Sequence, residues 1–342
     1  MEVPTYDLPE SAVAQRPVEP RDAARLLVAC GEAVQHRRVA DLPGLLGPGD
    51  VLVVNTSRVV PARLRLRKPT GAAAEVLLLE PDPEAGDEAE WLALVRPGRR
   101  LPPGTELHAG GRPAVRVGER LEGGRRRVRL LTAERADRFL AEVGTVPLPP
   151  YIRVPLADPE RYQTVYADEP GSVAAPTAGL HLTTDLLDRI RGRGVEVVGV
   201  DLAVGLGTFR PVTATVAEEH EMHEERYRVP PATMAACRRA RRVVSVGTTT
   251  VRALETAAAT GRLEGRSDLF IHGDYPWRVV DVLLTNFHQP RSTLLLLIQS
   301  FCGPRWRDIY AVALAEGYRF LSFGDAMLVT GGRGRGASTT GP

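Results

Sequence analysis

From Thr183 onward the chain repeats one pattern, a helical stretch followed by a short β-branched run, and this alternation restricts the fold more than any other feature. Thr183 to Arg193 reads as a helix closed by Gly194, and Val195–Val200 follows as a strand. Pro231–Arg241 is a second helix before the strand Val243–Val246. Thr248–Thr260 then precedes the strand Val279–Leu284, and Ser292–Phe301 and Arg307–Glu316 close the series as helices. A helix between two strands carries the chain back to the edge where the first strand began, which favours parallel pairing. The alternation therefore predicts a largely parallel sheet covered by helices. Upstream, the turn Pro48-Gly49-Asp50 leads into Val51-Leu52-Val53-Val54, which reads as a buried strand.

Residues 59–148 have another texture. Glu75–Leu79, Trp91–Val95, Ala114–Val117 and Val128–Leu131 are short apolar runs separated by Gly/Pro turns, the pattern of a small barrel or sandwich. Thr132 to Val143 reads as one helix, with Thr132 as N-cap and Gly144 as its stop. The expected organisation is a discontinuous α/β domain over 1–58 and 149–330, with an all-β domain over 59–148 inserted in it. The Gly/Ser/Thr-rich tail 331–342 is expected to be disordered.

Composition removes whole classes of function. At 342 residues with 43% hydrophobic side chains the chain can bury a large core, so it is no disordered linker. No apolar run, Leu294–Ile298 among them, approaches the roughly 20 residues of a membrane span. Met1-Glu2-Val3-Pro4 has no basic-then-apolar order, so no secretory leader is read there. Three cysteines, at 30, 237 and 302, are too few and too scattered for a disulfide framework or a thiolate zinc site. The expectation is a cytoplasmic, metal-free monomer. Net charge is only +2, yet residues 112–138 hold nine arginines against four acids. Arg125, Arg126 and Arg127 sit at the centre of that stretch and are the candidates for contact with an RNA backbone, the alternative being a solvated strand face.

Five constellations carry possible chemistry. Gly247-Thr248-Thr249-Thr250 lies between a strand and a helix, where free N–H groups and hydroxyls can hold a phosphate or carboxylate. The same spacing also suits simple N-capping by a threonine. Asp201 to Phe209 follows a strand and contains Gly205 and Gly207, which let a ligand approach the backbone, without the third glycine of a dinucleotide site. His181 and His288 follow turns, whereas His220 and His223 have an i, i+3 spacing that would share a helix face. Tyr162–Tyr166 and Gly171–Gly179 form a small-residue loop with stacking tyrosines, and Ser322-Phe323-Gly324-Asp325 is a turn that could aim a carboxylate.

Together these segments resemble one family. They include Asp7-Leu8-Pro9-Glu10, Gly49–Asn55, Arg58–Leu64, Pro147–Ile152, Tyr162–Tyr166 and Val173-Ala174-Ala175-Pro176-Thr177-Ala178-Gly179-Leu180-His181. Val204–Phe209, Val246–Thr249, Thr285-Asn286-Phe287-His288 and Gly324-Asp325-Ala326-Met327 complete the set. In this order, from about Tyr6 to Val329, the chain is similar to the S-adenosylmethionine:tRNA ribosyltransferase-isomerase family of queuosine biosynthesis. The resemblance implies an α/β domain with an inserted β-barrel. It also implies that S-adenosylmethionine donates its ribosyl group to 7-aminomethyl-7-deazaguanine at the tRNA wobble position. Adenine and methionine leave and epoxyqueuosine forms, with no cofactor beyond the co-substrate.

On this resemblance His181, His223 and His288 are the candidate acid and base. Tyr166 and Phe209 could face the sulfonium, and the methionine carboxylate could rest on Gly247, Thr248 and Thr249 with Arg252 pairing to it. Asn55, Arg58, Pro176, Thr177, Gly179, Gly205, Gly207, Thr208, Asn286 and Asp325 complete the expected binding set. The chain departs from the family pattern at Ala203, where the family has histidine, and at Glu224, Gln289 and His272-Gly273-Asp274. A paralogue that uses S-adenosylmethionine on a small molecule therefore stands as the alternative reading.

Overall fold

A computed structural model describes residues 1–31, 33–205, 216–220 and 222–332. The chain divides into two compact units, one of Met1–Arg58, Pro149–Glu169 and Ala175–Pro342, the other of Val59–Leu148 with Pro170–Ala174.

The first unit is built on a nine-stranded sheet. Four strands at its centre are parallel, in the spatial order Glu196–Leu202, Asp50–Asn55, Arg242–Val246, Val282–Asn286. All six residues of Asp50–Asn55 are buried, as a strand covered on both faces requires. Leu52 and Val54 join Val244, Val246, Val282 and Leu284 on one face, where the helix Thr184–Gly192 inserts Leu186, Leu187 and Ile190. That helix starts on Thr183, whose side chain accepts from the Leu186 N–H.

The sheet is mixed rather than largely parallel. Glu225–Arg228 and Glu264–Ser267 add antiparallel at one side. On the other, Ala326–Thr330 runs antiparallel to Val282–Asn286 before Arg25–Ala29 and Gln35–Arg38 finish the sheet. The strand read from Val279 begins at Val282 instead. The N–H groups of Val279 and Val280 go to the buried Glu255 carboxylate at 2.9 and 3.1 Å, which occupies them before the ladder starts.

The second unit is an antiparallel barrel. Its strands run Arg63–Arg67, Ala73–Pro81, Glu90–Arg96, Arg125–Leu130, Arg112–Arg120 and Glu106–Ala109 in spatial order. Pairing of Arg67 with His108 closes the ring. Leu64, Leu66, Val76, Val95, Val115, Val117 and Val128 fill its interior by period-2 alternation. The helix expected from Thr132 begins only at Ala136. The Thr132 hydroxyl accepts from the Glu134 N–H at 3.0 Å in a separate turn, and Arg135 enters the helix from extended backbone.

The arginine-rich stretch does not form an open basic patch. Arg126 is buried, and its guanidinium donates to the carbonyls of Gly118, Gly98 and Leu101 at 2.7, 3.2 and 3.0 Å. It is a core group, out of reach of an RNA phosphate. Arg127 is held by three carboxylates, Asp82, Glu84 and Glu119. Arg129 pairs with Asp87 and Glu90 at 2.8 and 2.9 Å. Arg125 is half-buried and donates to the Glu122 carbonyl at 3.2 Å. Replacing Arg126 by alanine leaves three carbonyls without their donor, so it should lower unfolding stability by about 2–4 kcal/mol. Arg125→Ala should stay within about 0.5 kcal/mol of the parent. Urea midpoints of the two variants make the comparison, and equal midpoints would show that Arg126 has no such role.

Candidate functional site

The four parallel strands all end on the same edge, at Leu202, Asn55, Val246 and Asn286. From the first strand the chain adds one neighbour on one side and the next on the other. The order thus reverses between Asp50–Asn55 and Arg242–Val246, and such a reversal opens a crevice at the carboxyl ends of the strands. A small cleft, open to solvent, lies there. Thr177, Val204, Gly247, Thr248, Thr249, Thr285, Asn286, Phe287 and His288 line it, with Tyr151, Gln289, Ser292, Leu321 and Ser322.

Asn55 ties its floor together. Its Nδ2 donates to the Leu202 carbonyl at 3.0 Å and to Thr249 Oγ1 at 3.3 Å. Its Oδ1 accepts from the N–H groups of Leu202 and Ser57 at 3.1 and 3.2 Å. The amide is fully used, so Asn55 positions Thr249 rather than touching a ligand. Because Thr249 Oγ1 accepts from Asn55, its own hydrogen is left to donate elsewhere.

Gly247 turns the chain from strand to helix at φ +85°, a conformation open to glycine. With Gly247 at the N-cap of Thr248–Thr260, no side chain caps the first turn. Threonine capping, the alternative from spacing alone, is therefore not what the turn does. The free N–H groups and the helix dipole instead face the cleft, which suits a carboxylate or phosphate.

The opposite wall is a chain of neutral groups. Asn286 Nδ2 donates to the Asp325 carbonyl at 3.3 Å, and Thr177 donates to Asn286 Oδ1 at 2.8 Å. These two bonds fix the amide orientation, so the 3.2 Å contact with His181 Nε2 is Asn286 donating to an unprotonated ring nitrogen. His288 Nε2 meets Thr285 Oγ1 at 3.1 Å, and the His288 N–H donates to the Tyr310 hydroxyl at 3.0 Å. Leu321 has φ +68°, rare for a non-glycine residue, and its N–H donates to the Phe287 carbonyl at 3.0 Å. That turn presents Ser322, whose hydroxyl meets Tyr151 at 2.7 Å.

The sequence model of the family described as "Queuosine biosynthesis protein" matches residues 2–329. The chain belongs to that family. A relative from Gloeobacter violaceus named S-adenosylmethionine:tRNA ribosyltransferase-isomerase is 51% identical over 339 residues, covering 96% of this chain and 95% of its own. One of the same name from Moorella thermoacetica is 51% identical over 338 residues, covering 95% and 98%. A crystal structure of S-adenosylmethionine tRNA ribosyltransferase from Thermotoga maritima matches at 37% identity with a TM-score of 0.53, over 95% of this chain and 99% of that one. The fold expected from the resemblance, an α/β domain with an inserted barrel, is the fold observed.

In this member of the queuosine biosynthesis family the residues expected at the site separate into two groups. Pro176, Thr177, Gly247, Thr248, Thr249, Asn286 and His288 line the cleft. The others are placed elsewhere, for definite reasons. Arg252 is buried in an ion pair with Glu225 and also donates to the Leu269 and Ser267 carbonyls at 3.1 and 3.2 Å, leaving no arm for a ligand. Glu225 in turn accepts from the Gly205 N–H at 2.8 Å, so the pair fixes that backbone. Asp325 accepts from the N–H groups of Arg25 and Arg319 at 3.0 and 2.9 Å and serves the turn. Arg58 pairs with Glu160 at 3.0 Å.

Tyr166 packs on the core beside Gly179, where an added Cβ would fall 2.0 Å from its hydroxyl. Gly179 is thus a packing glycine. His181 stands behind Asn286 instead of on the cleft wall. His223 is exposed, and the described part of the segment expected to be a helix holds one short turn, Ala217–Glu219. His220 stacks edge-on to Phe270. Among the described residues no group of three His, Cys, Asp or Glu side chains could hold a metal. Gly207, Thr208 and Phe209 lie outside the described residues. Tyr151, Thr285, Gln289, Ser292 and Ser322 were missed in the sequence, although Tyr151 and Thr285 lie in segments that carry the family resemblance.

Burial lowers the His181 pKa from 6.5 to about 4, with Asp325 opposing and Arg319, Arg161 and Arg21 adding to the effect. Burial alone lowers His288 to about 3. Both rings are neutral in the folded protein at neutral pH, whereas unfolded histidine takes up a proton below about 6.5. The unfolded chain then binds more protons than the folded one, and stability falls as the pH drops from about 6.5 to 4. Each histidine contributes at most about 1.4 kcal/mol per pH unit in that window. Urea unfolding at pH 7.5, 6 and 5 should show this slope, and His288→Gln should make it shallower by up to one proton. An unchanged slope would mean that His288 titrates normally in the fold.

Proposed function

We propose that this chain is an S-adenosylmethionine-dependent ribosyltransferase-isomerase acting on tRNA. Its product would be epoxyqueuosine, made from 7-aminomethyl-7-deazaguanine with release of adenine and methionine. The observation that carries this reading is the cleft at the strand reversal, in a chain about half identical to its named relatives over nearly its whole length. An uncapped helix N-terminus on one side faces a neutral imidazole on the other.

The donor's carboxylate would rest on the first turn of Thr248–Thr260, where the N–H groups and the Thr249 hydroxyl supply donors. That places the ribosyl carbons between this turn and the wall of Asn286 and His288. Of the three candidate histidines, His288 is the one that lines the cleft, so it is the one within reach of the donor. His181 acts through Asn286 by fixing its amide. Tyr151 and Phe287 supply the aromatic faces on the cleft. We further infer that the protein works as a cytoplasmic monomer, which gel filtration tests directly.

Purified protein given S-adenosylmethionine and tRNA carrying the aminomethyl-deazaguanine base should release adenine and methionine in equal amounts. Without the tRNA it should release neither. Adenine release that is independent of tRNA, or transfer to a small amine, would overturn the tRNA reading in favour of a small-molecule acceptor. Thr249→Val keeps the shape of the turn and removes one donor. It should weaken S-adenosylmethionine binding by about 10- to 100-fold, since a charge-assisted hydrogen bond contributes about 1.5–3 kcal/mol. Thermal unfolding should change little, because Asn55 Nδ2 keeps the Leu202 carbonyl. Unchanged affinity by calorimetry would leave the turn without a ligand role.

A further inference from the structure

Arg126 is buried and Arg127 and Arg129 are neutralised, whereas a group of cations on other strands of the barrel has no such partners. The strand Arg63–Arg67 alternates arginine and leucine, and Leu64 and Leu66 point into the barrel. Arg65 and Arg67 are therefore exposed on the outer face. Glu75 lies opposite Arg65 on the next strand, and Arg96, also exposed, lies opposite Glu75 on the strand after that. Lys68 reaches the Arg100 carbonyl at 3.4 Å, which brings the exposed Arg100 beside it.

Arg65, Arg67, Lys68, Arg96 and Arg100 thus share one region of the barrel with a single interleaved carboxylate, Glu75. None of the five makes a side-chain ion pair among the described residues. Four other arginines of the barrel are paired instead. Arg116, Arg127, Arg129 and Arg135 each have carboxylate partners at hand, so their charge is spent within the domain.

We propose that this unpaired basic face, Arg65, Arg67, Lys68, Arg96 and Arg100, is where the barrel contacts the phosphate backbone of the RNA substrate. The inference rests on the tRNA reading above and assigns its backbone contacts to a definite surface. Exposed arginines with a half-exposed lysine on and beside adjacent strands match a run of phosphates by charge, and they require no particular base. The pairing of Arg65 to Arg96 across three strands sets the row at right angles to the strands.

The test compares three full-length proteins: the parent, an Arg65→Gln/Arg67→Gln/Arg96→Gln variant, and an Arg116→Gln/Arg129→Gln variant as control. Affinity for the tRNA carrying the aminomethyl-deazaguanine base is measured at two salt concentrations, and S-adenosylmethionine affinity by calorimetry. The first variant should lose about 10- to 100-fold in tRNA affinity near physiological salt. Its log–log salt slope should shrink by about two to three, one for each lost phosphate contact. S-adenosylmethionine affinity should not move, and the control should bind tRNA as the parent does. Equal tRNA affinities and slopes for the parent and the first variant would overturn the placement while leaving the tRNA reading intact. A larger loss in the control than in the first variant would also overturn it. A parent protein that binds no tRNA at either salt concentration would overturn the tRNA reading, and the placement with it.

Discussion

The side-chain amide of Asn55 joins three segments beside the cleft. Its four hydrogen bonds connect the ends of the strands Asp50–Asn55 and Glu196–Leu202 to the first turn of the helix Thr248–Thr260. Parallel strands end with unpaired backbone groups, and here those groups are 147 residues apart in the chain. An amide is the side chain that can donate and accept at once, so one Asn55 satisfies the end of a neighbouring strand and still orients a hydroxyl. A carboxylate at this position would lose both donations. An apolar residue would leave the Leu202 backbone buried and unpaired.

The same economy recurs around the site. Buried polar groups appear as closed sets, each tying together elements distant in sequence: Asn286 with Thr177, His181 and the Asp325 carbonyl; Glu255 with the N–H groups of Arg278, Val279 and Val280; Glu225 with Arg252 and Gly205. A buried group with all its partners present holds its place, because moving it would strand several others at about 1–3 kcal/mol each. Rigidity at the cleft therefore comes from side chains whose hydrogen bonds are already made within the fold.

This explains which parts of the site could be read from the chain. Element types were legible wherever a local rule decided them: the helix Thr248–Thr260 begins at a glycine turn and ends at Gly261, and the strand at Asp50–Asn55 follows the turn Pro48-Gly49-Asp50 as the apolar run Val51–Val54. The switch from period-2 runs to helices likewise marked off the barrel. What a charged residue does was not legible, because that depends on a partner far away in sequence. Arg252 looked available to a carboxylate until Glu225, 27 residues back, came to face it. Asp325 looked aimed at a pocket, yet it accepts from Arg25, 300 residues away. Arg126 sat in a run of arginines and was read as surface, although its position in the period-2 alternation turns it into the barrel. Residue type told which groups carry charge, and only the fold told which charges remain free.

That sorting of charges has a consequence for how the two substrates would be held. Among the described residues lining the cleft there is no Asp, Glu, Lys or Arg. A donor that carries a carboxylate, an ammonium and a sulfonium would meet oriented dipoles there: helix N–H groups, threonine hydroxyls, the Asn286 amide and aromatic faces. Fixed dipoles need not be stripped of bound counterions before the ligand enters, and they stabilise charge without rearranging as it shifts during reaction. Binding that rests on them responds weakly to ionic strength, because little mobile charge is displaced. The barrel face of Arg65, Arg67 and Arg96 works by the other principle, with solvated cations whose attraction for a polyanion comes from releasing its counterions. On these readings the chain would divide recognition between a neutral cleft that discriminates by geometry and an exposed basic surface that gathers by charge. Salt should move the second without disturbing the first.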